Sequence, residues 1–236
     1  MHITLPFTDT GYSRTSYFQY AMLVSLPLAL YYLPTLNLVL SLIVGYVISL
    51  FATFTGMHRY CSHNSYSVNK FWHWILYLAG TIQCVGAPLH WANIHLIHHE
   101  HADTEKDPHS PVIKGFWKVY THMWGNDVII EKKMLKGLLD NRSIRFFYKW
   151  YFHILFAVAG VMLIIDPLLL LFGLCVPIVF AFHGYGLINT IPHMSGEAKN
   201  SVISNILTGG EGWHANHHAD SSNWRIGQKW WQLDPS

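Results

Sequence analysis

The chain has 236 residues, 51% hydrophobic and only 12% charged, with fifteen Lys+Arg against thirteen Asp+Glu and a formal net charge of +2. Soluble domains average about 25% charged residues, so this composition argues against an ordinary soluble domain and for a membrane protein. The small net charge and the lack of a basic stripe with a readout motif exclude nucleic acid as a partner.

Ten Trp and thirteen Tyr suit a chain whose rings sit at membrane interfaces. The length fits one domain covering 1–236, with no repeat of long period. The N-terminus, Met1 to Thr10, lacks the basic start of a signal peptide.

Four apolar stretches are long enough to cross a bilayer, which takes roughly 17–25 residues. They run from about Tyr17 to Leu33, Leu36 to Met57, about Trp150 to Ile165, and Pro167 to about Ile188. The links, Leu33-Pro-Thr-Leu36 and Asp166-Pro167, are so short that two helical hairpins are expected. A fifth stretch, Phe71 to Ile94, has no Lys, Arg, Asp or Glu. If it crossed, the histidines on either side of it would face opposite sides of the membrane, so it is expected as an interfacial helix. Eleven of the fifteen Lys+Arg lie between Arg59 and Lys149, three follow His193, and only Arg14 precedes the first span. The positive-inside rule then turns the histidine-bearing side to the cytoplasm. Cys61, Cys84 and Cys175 are scattered and odd in number. They read as small buried hydrophobes in a reducing compartment, not as a disulfide framework.

Nine of the seventeen histidines form a pattern: His58 and His63; His95, His98 and His99; His193, four residues after Asn189; and His214, His217 and His218. Imidazole is the commonest side-chain metal ligand. Two HxxHH boxes plus an HxxxxH, all beside apolar spans, point to metal. No CxxC supports a thiolate zinc or iron–sulfur site, and HExxH is absent. Nine imidazoles exceed one ion and match two, with room for water or dioxygen. Iron, zinc and copper all accept imidazole, so the residues alone leave the metal open. The position on a membrane-facing cap favours a redox catalyst.

Helical spacing sorts these residues. Positions i and i+4 share a face, while neighbours diverge by about 100°. His95 and His99 should meet at one metal and His98 at the other. Likewise His214 and His218 should pair while His217 crosses over. His58 and His63, about 140° apart on an ideal helix, need the second span to end or distort. The expected sets are His58, His63, His95, His99 and His217, against His98, His193, His214 and His218. Asn189, one turn from His193, is expected to complete the second set through a water, near where dioxygen enters.

The motifs carry a resemblance. His58-Arg-x-x-x-His followed by Asn-Ser-Tyr, HxxHH leading into Asp103-Thr-Glu-Lys-Asp107-Pro-His-Ser, Asn-x-x-x-His, and Gly210-Glu-Gly-Trp-His-x-x-His-His together resemble the membrane fatty acyl desaturases. The stearoyl-CoA Δ9 branch, with its bacterial members, is the most similar. The resemblance covers nearly the whole chain, to Trp230-Trp231. It implies an all-α integral membrane protein with four transmembrane helices under a cytoplasmic cap, in the bacterial inner membrane. It implies a di-iron centre that uses dioxygen and two electrons to desaturate a long fatty acyl chain, at Δ9. Leu96 stands where relatives often have Arg, and Ala219-Asp220 where they often have an aromatic and Pro. No cytochrome b5 is fused, so a separate ferredoxin, rubredoxin or cytochrome b5 is expected to deliver electrons.

Other groups take humbler roles. Trp91 and Asn93, one turn before His95, are candidate substrate contacts, as are Leu42 and Tyr46 on the second span, where Tyr46 would close the tunnel. His90, His101 and His109, with Glu100, Asp103, Asp107, Glu211 and Asp220, are candidates to support the ligands. His2 and His122 are expected to be solvated, and His73, His153 and His183 packed or interfacial. Nine Lys+Arg from Lys106 to Lys149, including Lys132, Lys133 and Lys136, are expected to steer an acidic donor in a salt-sensitive way. A hydroxylase or related oxygenase on the same scaffold is the alternative. A non-enzymatic metal transporter or sensor is a weaker one, because the first three spans lack Asp and Glu.

Overall fold

The computed structural model describes residues 8–9, 11–32, 35–122, 128–129 and 137–235. Almost all regular structure in them is helical. A two-residue antiparallel pairing joins β1 (Thr8–Asp9) to β2 (Val128–Ile129). Lys132, Lys133, Lys136 and His2 lie outside the described residues, as do the side chains of Arg14 and His122.

The first apolar stretch is not one helix. It divides into α1 (Gly11–Leu23) and α2 (Ser25–Tyr32), with a turn at Val24. Pro27 accounts for the break: it has no N–H to give, and its ring clashes with the carbonyl four residues earlier. Among the described residues, three helical runs are long and apolar enough to cross a membrane: Leu36–Ser62, Arg142–Ile165 and Pro167–His193.

The first of these runs is α3 (Leu36–Leu50), which continues as a π-helix over Phe51–Ser62. The expected end of this span at Met57 is therefore passed without a break. The second is α8 (Arg142–Ile165), which starts earlier than the expected Trp150 because Asn141 caps it, accepting from the N–H groups of Ser143 and Ile144. The third begins at Pro167, where Asp166 leaves the helical region and accepts the Leu168 N–H at 2.8 Å. It runs through α9 (Pro167–Leu170), a π-helical turn (Leu171–Cys175), α10 (Val176–Thr190) and a 3-10 turn (Ile191–His193). Leu155 and Met162 of α8 pack on Leu170, Leu174 and Ile178, so α8 and the α9–α10 run form a hairpin. Gly45 lets α3 approach that run: a Cβ there would lie 2.6 Å from the Gly173 oxygen.

The Phe71–Ile94 stretch is also two helices, α4 (Lys70–Ile82) and α5 (Pro88–His101). Between them Cys84 and Gly86 adopt positive φ of 55° and 96°, a region L-residues rarely enter, and Pro88 opens α5 at its first turn. Gln19 of α1 donates to the Cys84 carbonyl, and the Gly86 N–H donates to the Tyr151 hydroxyl at 3.1 Å. Those bonds pin the break to α1 and α8. The other helices among the described residues are α6 (Pro111–Lys114), α7 (Phe116–His122), α11 (Val202–Thr208) and α12 (His214–Ala219). A core of Phe54, Met57, Val85, Trp91, Ile94, Ala181, Tyr185 and Ile188 joins the long helices to α5.

Candidate metal centre

Four elements deliver the nine histidines. In the π-helix, hydrogen bonds run from residue i+5 to residue i, and the His63 N–H donates to the His58 carbonyl at 3.3 Å. Residues five apart thus stack along one side, and the two rings sit 5.1 Å apart. This is the distortion that an ideal helix would have lacked. α5 carries His95, His98 and His99, and α12 carries His214, His217 and His218. The 3-10 turn after α10 presents His193.

The ring nitrogens converge in two groups. His58, His63, His95, His99 and His217 lie with their nitrogens within 4.8 Å of one another, and so do those of His98, His193, His214 and His218. These are the two sets that helical spacing sorts. In the first, Nε2 of His63 and His95 are 2.7 Å apart, and His217 Nε2 is 2.9 Å from those of His58 and His99. In the second, His214 Nε2 is 2.9 Å from His193 Nε2 and 3.2 Å from His218 Nε2. An imidazole–metal bond is about 2.1 Å, so two ligands at right angles around one ion are about 3.0 Å apart. The observed separations are those of coordination edges. The His98 Nε2 is buried with no hydrogen-bond partner. A buried nitrogen without a partner is costly, and a metal ion would offset that cost.

Carboxylates stand behind the rings. His58 Nδ1 lies 2.8 Å from Glu211, His98 Nδ1 2.9 Å from Asp107, and His193 Nδ1 2.7 Å from Asp103. Asp107 and Asp103 hold the proton on Nδ1 of His98 and His193 and leave the Nε2 lone pairs facing inward, and Glu211 places a negative charge against His58. Asp107 also accepts the N–H groups of Asp103 and His109, and Asp103 accepts the Ser110 hydroxyl. Burial and the neighbouring imidazoles push His95, His98, His214 and His217 far below the ordinary histidine range, and His218 down to about 3. These rings are neutral at neutral pH, as metal ligation requires. Burial works to raise the Glu211 carboxyl, but the charge of the Arg59 guanidinium prevails and brings it down to about 2.

An apolar cavity of about 30 Å³ opens beside both groups, lined among others by Phe54, Trp91, Ile94, Tyr185, Ile188 and Asn189. Trp91 is thus at the cavity, while Asn93 is buried but is not among its lining residues. Tyr46 packs against the cluster that forms the cavity wall, and its hydroxyl donates to the Leu207 carbonyl at 2.9 Å. Leu42 packs elsewhere, against Leu171 and Phe172. Asn189 reaches the cavity, and its Nδ2 donates to the Tyr185 carbonyl at 2.8 Å. His109 lines the cavity too, stacks on His98 at 4.2 Å, and has no hydrogen-bond partner on either ring nitrogen. His90 packs on Tyr148, His73 bonds Tyr60 and Ser143, and His183 bonds Tyr120. Glu100 and Asp220 are exposed, and His153 stacks edge-on to Trp150.

These features meet in a sequence with recognisable kin. The profile described as fatty acid desaturase matches residues 33–235. The chain belongs to the fatty acid desaturase family. It is 31% identical to the sn-1 stearoyl-lipid 9-desaturase of Anabaena variabilis, over 76% of this chain and 70% of that protein. It is 30% identical to the sn-1 stearoyl-lipid 9-desaturase of Synechocystis sp., over 76% of this chain and 60% of that one. An acyl-CoA 5-desaturase of Anemone leveillei is 31% identical over 83% of this chain and 65% of its own length. The chain therefore spans about two thirds or less of several relatives.

The family motif Gly210-Glu-Gly-Trp-His has a steric basis here. A Cβ on Gly212 would run into the backbone N of Asn205 and the O of Ser201. Gly212→Ala is expected to lower stability by about 1–3 kcal/mol, as overpacking does, read as a lower thermal midpoint. An unchanged midpoint would count against this contact.

Sequence reasoning missed other neighbours of the site. Arg59, Phe54, Tyr185 and Ile188 carry no spacing signal, because their roles depend on which helices meet. The acidic run Asp103 to Asp107 beside one histidine box, and Glu211 just before another, were the legible signs of support for the ligands.

Proposed function

We propose that the chain is a membrane di-iron fatty acyl desaturase. The observation that carries this reading is the convergence of nine Nε2 atoms into sets of five and four, three of them backed by carboxylates, beside an apolar cavity. In this reading His58, His63, His95, His99 and His217 hold one iron. His98, His193, His214 and His218 hold the other, with Asn189 placing a water beside it. The irons supply dioxygen activation. Overall, one saturated acyl chain, one dioxygen, two electrons and two protons give one double bond and two waters.

The chain's own residues bind and orient the substrate. Phe54, Trp91, Ile94, Tyr185 and Ile188 offer only apolar contact, which suits methylene groups and excludes bulk water. The cavity is smaller than the roughly 300 Å³ from which ligand pockets usually run, so substrate entry requires these side chains to part. Stearoyl-lipid 9-desaturases and an acyl-CoA 5-desaturase are both among the relatives. We favour a Δ9 product on a long-chain acyl group and leave the carrier to experiment.

We further propose four spans, counting α1 and α2 together as a broken first one, with α4 in the interface and the histidine cap toward the cytoplasm of a bacterial cell. The exposed Phe71, Trp72, Trp74 and Ile75 on α4 support its interfacial placement. A separate ferredoxin, rubredoxin or cytochrome b5 would dock on the basic cap, where Lys106 and Lys118 are exposed. The decisive experiment is gas chromatography of the fatty acids of cells making the chain, with double-bond positions mapped. New monounsaturated chains that need oxygen and iron support the proposal. Hydroxylated chains in their place would overturn it in favour of an oxygenase.

Tyr46 gives a narrower expectation. It sits behind the cavity wall and is edge-on to Phe180, with ring centres 6.5 Å apart. Tyr46→Ala is expected to deepen the cavity and shift product toward longer chains. An unchanged chain-length profile in a stable, folded variant would assign Tyr46 to helix packing alone.

A further inference from the structure

Arg59 stands between two histidine ligands in sequence yet points away from both sets. Its guanidinium is 2% exposed and meets two carboxylates that are equally hidden, Glu211 and Asp234. Nε and Nη2 donate to Glu211 Oε1 at 3.0 and 2.8 Å. Nη2 also donates to Asp234 Oδ1 at 2.8 Å, and Nη1 donates to the Trp224 carbonyl at 2.8 Å. The other Glu211 oxygen, Oε2, faces His58 Nδ1 at 2.8 Å. A continuous line thus runs from Asp234 through Arg59 and Glu211 to His58.

Asp234 is itself held by its own strand of chain. Its Oδ2 accepts the N–H groups of Ile226 and Gly227 at 2.7 and 3.3 Å. The carbonyl of Leu233, next to it, accepts from Asn205 Nδ2 and Trp213 Nε1 at 2.9 and 2.8 Å. Residues 224–234 therefore form a strap over α11 and α12, and Asp234 is the point where the strap meets a charge.

We infer that Asp234 is a positioning residue for the first metal set, acting through Arg59 and Glu211 to hold the His58 ring in register. The inference rests on the proposed metal ligation by that set. Arg59 has one face to share. Asp234 and the Trp224 carbonyl fix the guanidinium against Oε1 of Glu211, with Oε2 turned to His58. Without the Asp234 charge, Arg59 can turn further onto Glu211 and draw that carboxylate off the ring. Asn is the discriminating substitution. Turning its oxygen to Arg59 sets its NH2 against two backbone N–H groups, and turning it over sets the NH2 against the guanidinium. Neither orientation restores the line.

The effect is confined to one metal. The line from Asp234 leads to His58, while the carboxylates behind the His98 set are Asp103 and Asp107. Loss of an outer-shell partner typically weakens metal affinity about 10–100-fold.

The test uses the full chain, purified in detergent after growth with iron. Iron per chain, the rate of iron release to a ferrous chelator and the thermal midpoint are measured for the native chain, Asp234→Asn and Trp213→Phe. Trp213→Phe removes one strap bond, to the Leu233 carbonyl, and spares the charge line. Asp234→Asn should speed one of two release phases about tenfold or more and leave the other at its native rate, with Trp213→Phe at native rates in both. Native release in Asp234→Asn would overturn the inference alone. So would equal acceleration of both phases, matched by Trp213→Phe, because that is general loosening of the strap. If Asp234→Asn does not fold, Asp234→Glu is the arbiter: the longer arm should still speed the same single phase, and a native rate there overturns the inference. A native chain that retains no iron would overturn the ligand assignment itself, and this inference with it.

Discussion

Replacing His98 with Ala is expected to abolish formation of the unsaturated product, by at least about a hundredfold, beyond the 10–100-fold typical of an outer-shell loss. At His98 burial leaves one ring nitrogen that the protein itself does not satisfy. It is 1% exposed, its Nδ1 is spoken for by Asp107, and its Nε2 has no hydrogen-bond partner. Around that nitrogen stand His193, His214 and His218. Four imidazoles leave this set with fewer donors than the other, so it has the least to spare. Iron content should fall by about half, since the His58 set keeps all five of its rings. His98→Ala with native activity and native iron would refute the assignment. His109→Ala serves as the companion variant. His109 stacks on His98 but falls outside the set of four, so its loss should leave the iron content at the native level.

Asp107→Asn is expected to be the most damaging change that touches no ligand nitrogen directly. Asp107 is fully buried and accepts three hydrogen bonds, from His98 Nδ1 at 2.9 Å, the Asp103 N–H at 2.8 Å and the His109 N–H at 2.9 Å. All three partners are donors. An amide in its place turns one accepting oxygen into a donor, so at least one buried N–H is left unsatisfied, at a cost of about 1–3 kcal/mol. It also releases the His98 tautomer. Metal affinity in the His98 set should fall about 10–100-fold, and the thermal midpoint should fall with it. Because Asp103 holds His193 and is itself tied to Asp107, both rings loosen together. Iron titration of the variant decides the matter: two native-strength sites would show that Asp107 is structural only.

Much of the scaffold was legible in the residues. A run of apolar side chains long enough to cross a membrane is a local property, and Leu36–Ser62, Arg142–Ile165 and Pro167–His193 carry it in their own sequence. The Asp166-Pro167 stop is local too, since a capping carboxylate and a proline at the first turn act within a few residues. Breaks were less well read. Pro27 divides the first stretch, and Cys84 and Gly86 with Pro88 divide the Phe71–Ile94 stretch, although composition alone made each look continuous.

The histidine sets show where local reasoning reaches and where it stops. The spacing i, i+3, i+4 determines which rings of one helix share a face, because 3.6 residues per turn is a property of the backbone. It therefore determined that His98 turns from His95 and His99, and His217 from His214 and His218. Spacing could not determine that the second span would continue as a π-helix, which is what stacks His58 on His63. Nor could it join Arg59 to Asp234 across 175 residues, or place Tyr185 beside Trp91. Those pairings arise only when long helices cross, and a crossing is set by close approaches such as Gly45 on Gly173. Local forces set the long apolar runs Leu36–Ser62, Arg142–Ile165 and Pro167–His193, the caps and the division of the two histidine boxes, since each acts within a turn or two of helix. Only packing decided that Glu211 meets His58 and Asp103 meets His193, and with them the cavity wall and the strap that ends at Asp234, since each needs partners distant in the chain.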